Sequence, residues 1–350
     1  MAPSMIPDVF RDLLTAAGPS GYVGPAATVF REACEPLAGS VVTDAHGSTV
    51  ARLAGGGGPR VAVMGHVDEI GLIVTHIDDN GFLWFGQIGG WDPQILVGQR
   101  VDVLTRAGII PGVAGRKPIH LLTDEERKQV PKLKDLHIDI GARDGDEARS
   151  LARVGDVAVI SAEPVELPNN RIVSRSLDNR VGCFVAYETL RLLSEGEAPP
   201  GEFMAVAVNH EETNFGGSTQ TTYALEPDVV VVIDVTHETG APGVDEKENG
   251  RHPYGSGPAI IRGATLSPRV FDLLVEAAEA EDIPYTIEAT GRSTGTDADA
   301  VVTSRAGVHA ASIGVPCRYM HSAVEMVQLD DVLATARLCA AFARRLTQPL

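Results

Sequence analysis

Apolar residues along this chain fall into two textures. In the first seventy residues, and again from about Arg171 onward, unbroken apolar runs alternate with stretches of helical spacing. Residues 5–17 and 24–38 carry Val9, Leu13 and Leu14, then Val29, Phe30 and Leu37, at the spacing of amphipathic helices, with the turn GPSGY between them. Residues 41–53 alternate as a strand does. The runs at 60–66, 204–208 and 228–234 are apolar almost throughout, the pattern of strands buried on both faces of a parallel sheet. Residues 181–193, 268–281 and 330–346 again read as helices. Between 71 and 163 the helical period nearly vanishes, leaving short β-rich segments (LIVTHI, FLWFGQIGG, QRVDVLT) and hairpin signals such as DDNG. The pattern predicts an α/β domain formed by 1–70 and 164–350, into which 71–163 is inserted as a small β-barrel or sandwich.

Composition narrows the function classes. A chain of 350 residues, 44% hydrophobic, has ample material for one large domain or two. Its formal net charge of −18 disfavours nucleic acid and anionic membrane as partners. No window resembles a membrane span, and the start MAPSMIPDVF lacks the basic and apolar regions of a signal peptide. Four scattered cysteines (Cys34, Cys183, Cys317, Cys339) form no CxxC pair, so a cytoplasmic protein with free thiols is expected.

The chemistry gathers at the ends of the apolar runs. MAVAV (204–208) leads into the adjacent carboxylates Glu211 and Glu212; RVAVMG leads into His66 and Asp68; DVVVVI ends in Asp234; VPCRYMHS reaches His321. Asp178 stands before the helix predicted at 181–193, where a carboxylate is commonly a cap. Each alone has a bland reading as a solvated loop, turn or cap. Together, two histidines and four carboxylates are predicted at one edge of one sheet, where α/β folds bind ligands. Nitrogen and carboxylate ligands suit zinc, cobalt or manganese. A carboxylate shared by two cations, each with one His and one further carboxylate, uses five residues and leaves one glutamate free as general base.

The motifs GHVDEIG (65–71), SLDNRVG (176–182), HEETNFGGS (210–218), VIDVT (232–236), GTDADA (295–300) and RYMHS (318–322) resemble those of the M42 metallo-aminopeptidases, also labelled glutamyl aminopeptidase, TET peptidase or endoglucanase M. The resemblance runs from GPSGY to the closing helix. It implies a phosphorylase/hydrolase-like α/β sheet with helices on both faces and an inserted PA-like β-barrel used for dimerisation, with dimers building dodecamers. It further implies two divalent cations per subunit, zinc foremost with cobalt or manganese as alternatives. Asp178 would bridge them, His66 and Asp234 would complete one site, and Glu212 and His321 the other. Glu211 would be the general base toward the attacking water, and Asp68 would orient His66. The implied reaction removes the N-terminal residue of short peptides.

Two departures flank the predicted base. His210 stands where the family usually has Gln, and TNFGG follows where VGLRG is usual. His210 and Arg318 are therefore candidate substrate contacts, with Arg318 a possible attractor of acidic side chains and His210 also readable as a packed neutral ring. A di-metal hydrolase of N-acyl or other small amides, a metal-free two-carboxylate glycosidase and a non-catalytic assembly protein are the rival readings. The glycosidase leaves His66, Asp234 and His321 unexplained, and the assembly reading leaves an unsubstituted site without a purpose.

Overall fold

The structure, a computed structural model, describes residues 4–350. Four mutually parallel strands form its centre, adjacent in the order Gly201–Val208, Gly58–His66, Val229–His237 and His309–Arg318. These contain the apolar runs of the sequence. Alternate side chains of a strand point to opposite faces, and both faces are covered. Val61, Val63, Ala205, Ala207, Val231 and Ile233 join a core shared with the helices Asp8–Thr15, Gly24–Cys34, Leu177–Glu195, Pro268–Ala280 and Leu329–Arg345. Their neighbours Ala62, Met64, Met204, Val206, Val230 and Val232 join a second core with residues of Gly216–Leu225 and Ala298–Val301. Shorter strands extend the sheet to eleven. The expected sheet with helices on both faces is the observed one.

Residues 41–53 do not form one strand. They make an antiparallel pair, Ser40–Thr43 with Thr49–Leu53. Asp44 reverses the chain: its Oδ1 accepts the N–H groups of His46 (2.8 Å) and Ser48 (3.0 Å), and Gly47 takes φ +92°.

Six antiparallel strands between Gly71 and Ile160 close into a barrel: Gly71–Ile77, Leu83–Ile88, Leu136–Asp139, Gly108–Arg116, Arg100–Thr105 and Val157–Ile160. Leu72, Val74, Leu83, Val101, Val103 and Ile138 fill it, a core separate from those of the sheet. The barrel follows directly on the loop after His66. Among the described residues no helix is long and apolar enough to cross a membrane.

One close approach fixes the sheet against the helix that follows Asp178. A Cβ added at Gly65 would lie 2.4 Å from the carbonyl carbon of Gly182 and 2.7 Å from the nitrogen of Cys183. Backbone cannot swing away as a side-chain tip can, so Gly65→Ala is expected to destabilise by roughly 3 kcal/mol. Denaturant unfolding checks this, and an unchanged midpoint would refute it.

Candidate active site

Strand direction decides what meets at the sheet edge. His66 ends the strand Gly58–His66 and lies in register with Val208, so the Glu211–Glu212 turn emerges beside it. Asp234 lies near the end of the next strand, paired with Gly314. His321 follows Arg318 on a loop, in the left-handed region at φ +57°. Asp178 arrives from the short strand Arg171–Ser174; it and Asn179 are non-helical residues within the Leu177–Glu195 helix. All six side chains predicted to meet line one cavity of about 540 Å³.

The two oxygens of Asp178 face different partners. Oδ1 lies 3.1 Å from His66 Nε2, which is itself 3.9 Å from Asp234 Oδ1. Oδ2 lies 3.5 Å from His321 Nε2, which is 3.6 Å from Glu212 Oε1. His66, Asp178 and Asp234 thus form one set of potential ligands, and Asp178, Glu212 and His321 another. Ligands bound tetrahedrally at zinc distances stand about 3.3 Å apart, so both sets match a cation's demands. Glu211 Oε2 reaches His66 Nε2 at 3.8 Å and forms a third grouping with His66 and Glu212.

Both imidazoles are turned to backbone carbonyls, and the Asp68 carboxylate also stands 3.7 Å from His66 Nδ1. His66 Nδ1 lies 3.0 Å from the Asp68 carbonyl, and His321 Nδ1 lies 2.8 Å from that of Gly90. A carbonyl only accepts, so each Nδ1 donates, and in the neutral ring this leaves the Nε2 lone pair facing inward, as a metal-binding ring requires. The Asp68 carboxylate has a further task. Its Oδ1 and Oδ2 accept the N–H groups of Glu211 (3.3 Å) and Glu212 (3.2 Å) and hold the paired glutamates at the cavity wall.

Electrostatics point the same way. Burial pushes Glu211 up to about 10, Glu212 to about 9 and Asp234 to about 8; neighbouring carboxylates add to this and His66 opposes it. Burial alone would also raise Asp178, but its contacts with His321 and His66 hold it well below the ordinary carboxylate range. Burial lowers the His66 pKa, yet Glu211, Asp178, Asp234 and Asp68 outweigh it and leave the ring well above its usual value. No Lys or Arg lines the cavity among the described residues. Two dications would match the four carboxylates at its centre and return them to the ionised form. The residues present therefore fit a pair of divalent cations.

Two further groups support this edge without having been legible as site residues. Buried Glu325 accepts the N–H of Asp178 at Oε2 (3.0 Å) and that of His321 at Oε1 (2.8 Å), joining the two loops that carry ligands. Its signal was an acidic residue four positions past His321. Glu69 is buried between Arg175 and Arg180, with Arg180 Nη2 at 3.2 Å, and accepts the Gly18 N–H at 2.9 Å. It ties the loop after His66 to GPSGY. The candidate contacts His210 and Arg318 lie off the cavity wall. His210 rests edge-on against His46, with ring centres 5.7 Å apart. The Arg318 guanidinium pairs with Glu238 at 2.5 Å and lies over the Tyr254 ring.

Comparison with known proteins places this geometry. The M42 glutamyl aminopeptidase family model matches residues 47–338. A lysyl aminopeptidase of Pyrococcus furiosus is 31% identical over 344 residues, covering 97% of each chain. The aminopeptidase APDkam598 of the archaeon Desulfurococcus kamchatkensis superposes with a TM-score of 0.89 at 35% identity, covering 96% of this chain and 94% of its own. The Pyrococcus horikoshii TET1 peptidase, described as assembling into a tetrahedron or a large octahedral shell, gives a TM-score of 0.86 at 29% identity over 97% and 99% of the two chains. A model spanning most of the chain and relatives matched nearly end to end leave one conclusion: the chain belongs to the M42 glutamyl aminopeptidase family and is a peptide-bond hydrolase.

Proposed function

We propose that the chain is a co-catalytic di-metal aminopeptidase that releases the N-terminal residue of short peptides. The observation that carries this is the divided carboxylate of Asp178, each oxygen turned to a separate His–carboxylate pair. Asp178 would bridge two cations, with His66 and Asp234 on one and Glu212 and His321 on the other. Zinc is the expected metal, with cobalt or manganese accepted by the same donor types. When bound, such cations supply Lewis acidity, which favours both deprotonation of water and polarisation of the scissile carbonyl.

The two glutamates divide by reach. Glu212 lies 3.6 Å from His321, whose side of the site otherwise has only the shared Asp178. Glu211 reaches the His66 side, where Asp234 already supplies a carboxylate. Glu211 is thus the spare group, placed to accept a proton from the attacking water and hand it to the departing amine. Asp68 fixes its backbone, so the carboxylate stays on that line of attack.

We assign 1–70 and 164–350 to the catalytic domain and the inserted 71–163 to self-association. The shells described for the horikoshii relative support this. So do the apolar side chains Ile109, Val113, Ile119 and Leu121, left exposed within the insertion. The four cysteines are buried and unpaired, which fits a reducing compartment such as the cytoplasm.

Hydrolysis of aminoacyl-p-nitroanilides and an N-acetylated control, with metal-free, zinc-loaded and cobalt-loaded protein, tests the assignment. Metal-dependent release from the free-amine substrates alone is expected. Equal cleavage of the acetylated control would replace this reading with that of an N-acyl amidohydrolase.

A further inference from the structure

The cavity holds a fifth carboxylate that the proposed two-cation centre does not use. Glu288 lies in the strand Thr286–Thr290, on the outer side of Ala259–Gly263, and lines the same cavity. Its Oε2 accepts the Thr236 hydroxyl at 2.7 Å. Thr236 stands two residues beyond Asp234 on the same strand and the same face, a step of about 7 Å. Glu288 is therefore anchored about one side chain's length from the ligand position of Asp234.

Charge in the cavity is unequal around that point. Two dications match the four central carboxylates, which leaves Glu288 without a counter-charge. No Lys or Arg lines the cavity among the described residues; the neighbouring wall is made by His237 and by the uncharged Ile261, Thr294, Thr296 and Met320. Arg318, a candidate contact near the edge, is already paired with Glu238.

We propose that Glu288 sets the preference for the residue released, and that this residue is basic. The inference rests on the aminopeptidase reading above. With the substrate's scissile carbonyl at the two-cation centre, the side chain of its first residue extends toward Glu288. A lysine stem reaches on the order of 6 Å, matching the spacing from Asp234, and its ammonium pairs with the free Oε1. Arginine reaches the same carboxylate with a planar fork. A glutamate side chain there meets a like charge with no cation to offset it.

The test compares wild type with Glu288→Gln on lysyl-, arginyl-, leucyl- and glutamyl-p-nitroanilide, all zinc-loaded. Wild type is expected to favour the basic substrates over leucyl by at least ~10-fold in kcat/KM, the scale of one partly exposed ion pair. Glu288→Gln is expected to lose that margin while its leucyl rate stays within about twofold. An equal fall on every substrate would overturn the proposal and assign Glu288 to the substrate's α-ammonium or to the fold. A wild-type preference for leucyl or glutamyl would overturn it directly. A second measurement separates this inference from the peptidase reading: calorimetric binding of lysinamide and leucinamide to zinc-loaded protein carrying Glu211→Gln, with and without Glu288→Gln. Tighter, Glu288-dependent binding of lysinamide sustains the pocket assignment even if no substrate turns over, and equal binding of the two amides overturns it.

Discussion

Glu211→Gln is expected to keep two cations per chain and to lose about 10²- to 10⁴-fold in kcat, the usual contribution of a positioned general base. Glutamine preserves the length of the side chain and its place at the cavity wall, because Asp68 holds residue 211 by its backbone N–H. What it removes is the ability to accept a proton. The two proposed ligand sets, His66 with Asp178 and Asp234, and Asp178 with Glu212 and His321, leave Glu211 out, though it also groups with His66 and Glu212. Metal content by elemental analysis and turnover of the same preparation check the two halves separately. A variant that loses metal along with rate would make Glu211 a ligand; one that keeps both would remove it from the mechanism.

Asp178→Asn has the opposite signature. Both sets share this residue, and each oxygen serves one of them. An amide presents one oxygen and no charge, so one set loses its shared ligand and both lose electrostatic attraction. Apparent affinity for both cations is expected to fall by at least about 100-fold, the upper end of what even an outer partner of a metal ligand costs. Equilibrium dialysis against zinc reads this directly. Retention of two cations per chain would show that Asp178 does not bridge. The pair of variants therefore separates binding from proton transfer, with Glu211→Gln full but slow and Asp178→Asn empty.

Much of the arrangement was legible because buried parallel strands have a plain signature. The runs ending near His66, Glu211 and Asp234 are apolar on both faces, and an abrupt change to charged residues marks where the chain leaves the sheet. Asp178 was harder. Its position before a helix fits a cap, and only the non-helical backbone at Asp178 and Asn179 turns its carboxylate toward both histidines. Asp68 next to His66 suggested a partner for the ring; in the fold Nδ1 meets the Asp68 carbonyl with the carboxylate 3.7 Å away, and that carboxylate also reaches across to another loop. Such contacts join residues far apart in the chain and leave no local period. Glu325 and Glu69 escaped for the same reason, each binding groups more than fifty positions away. Glu288 sits in TIEAT, an ordinary polar alternation, and acquires meaning only from Thr236 and the cavity. His210 and Arg318 drew attention through their neighbours in sequence, yet their side chains turn to His46 and Glu238.

The most direct measurement of the central claim is a zinc titration of metal-free protein, following hydrolysis of a free-amine aminoacyl-p-nitroanilide against bound metal per chain. Activity should rise to a plateau at two equivalents and vanish again with chelator. Full activity at one equivalent, or activity that persists in the chelated protein, would contradict a centre built on a shared Asp178.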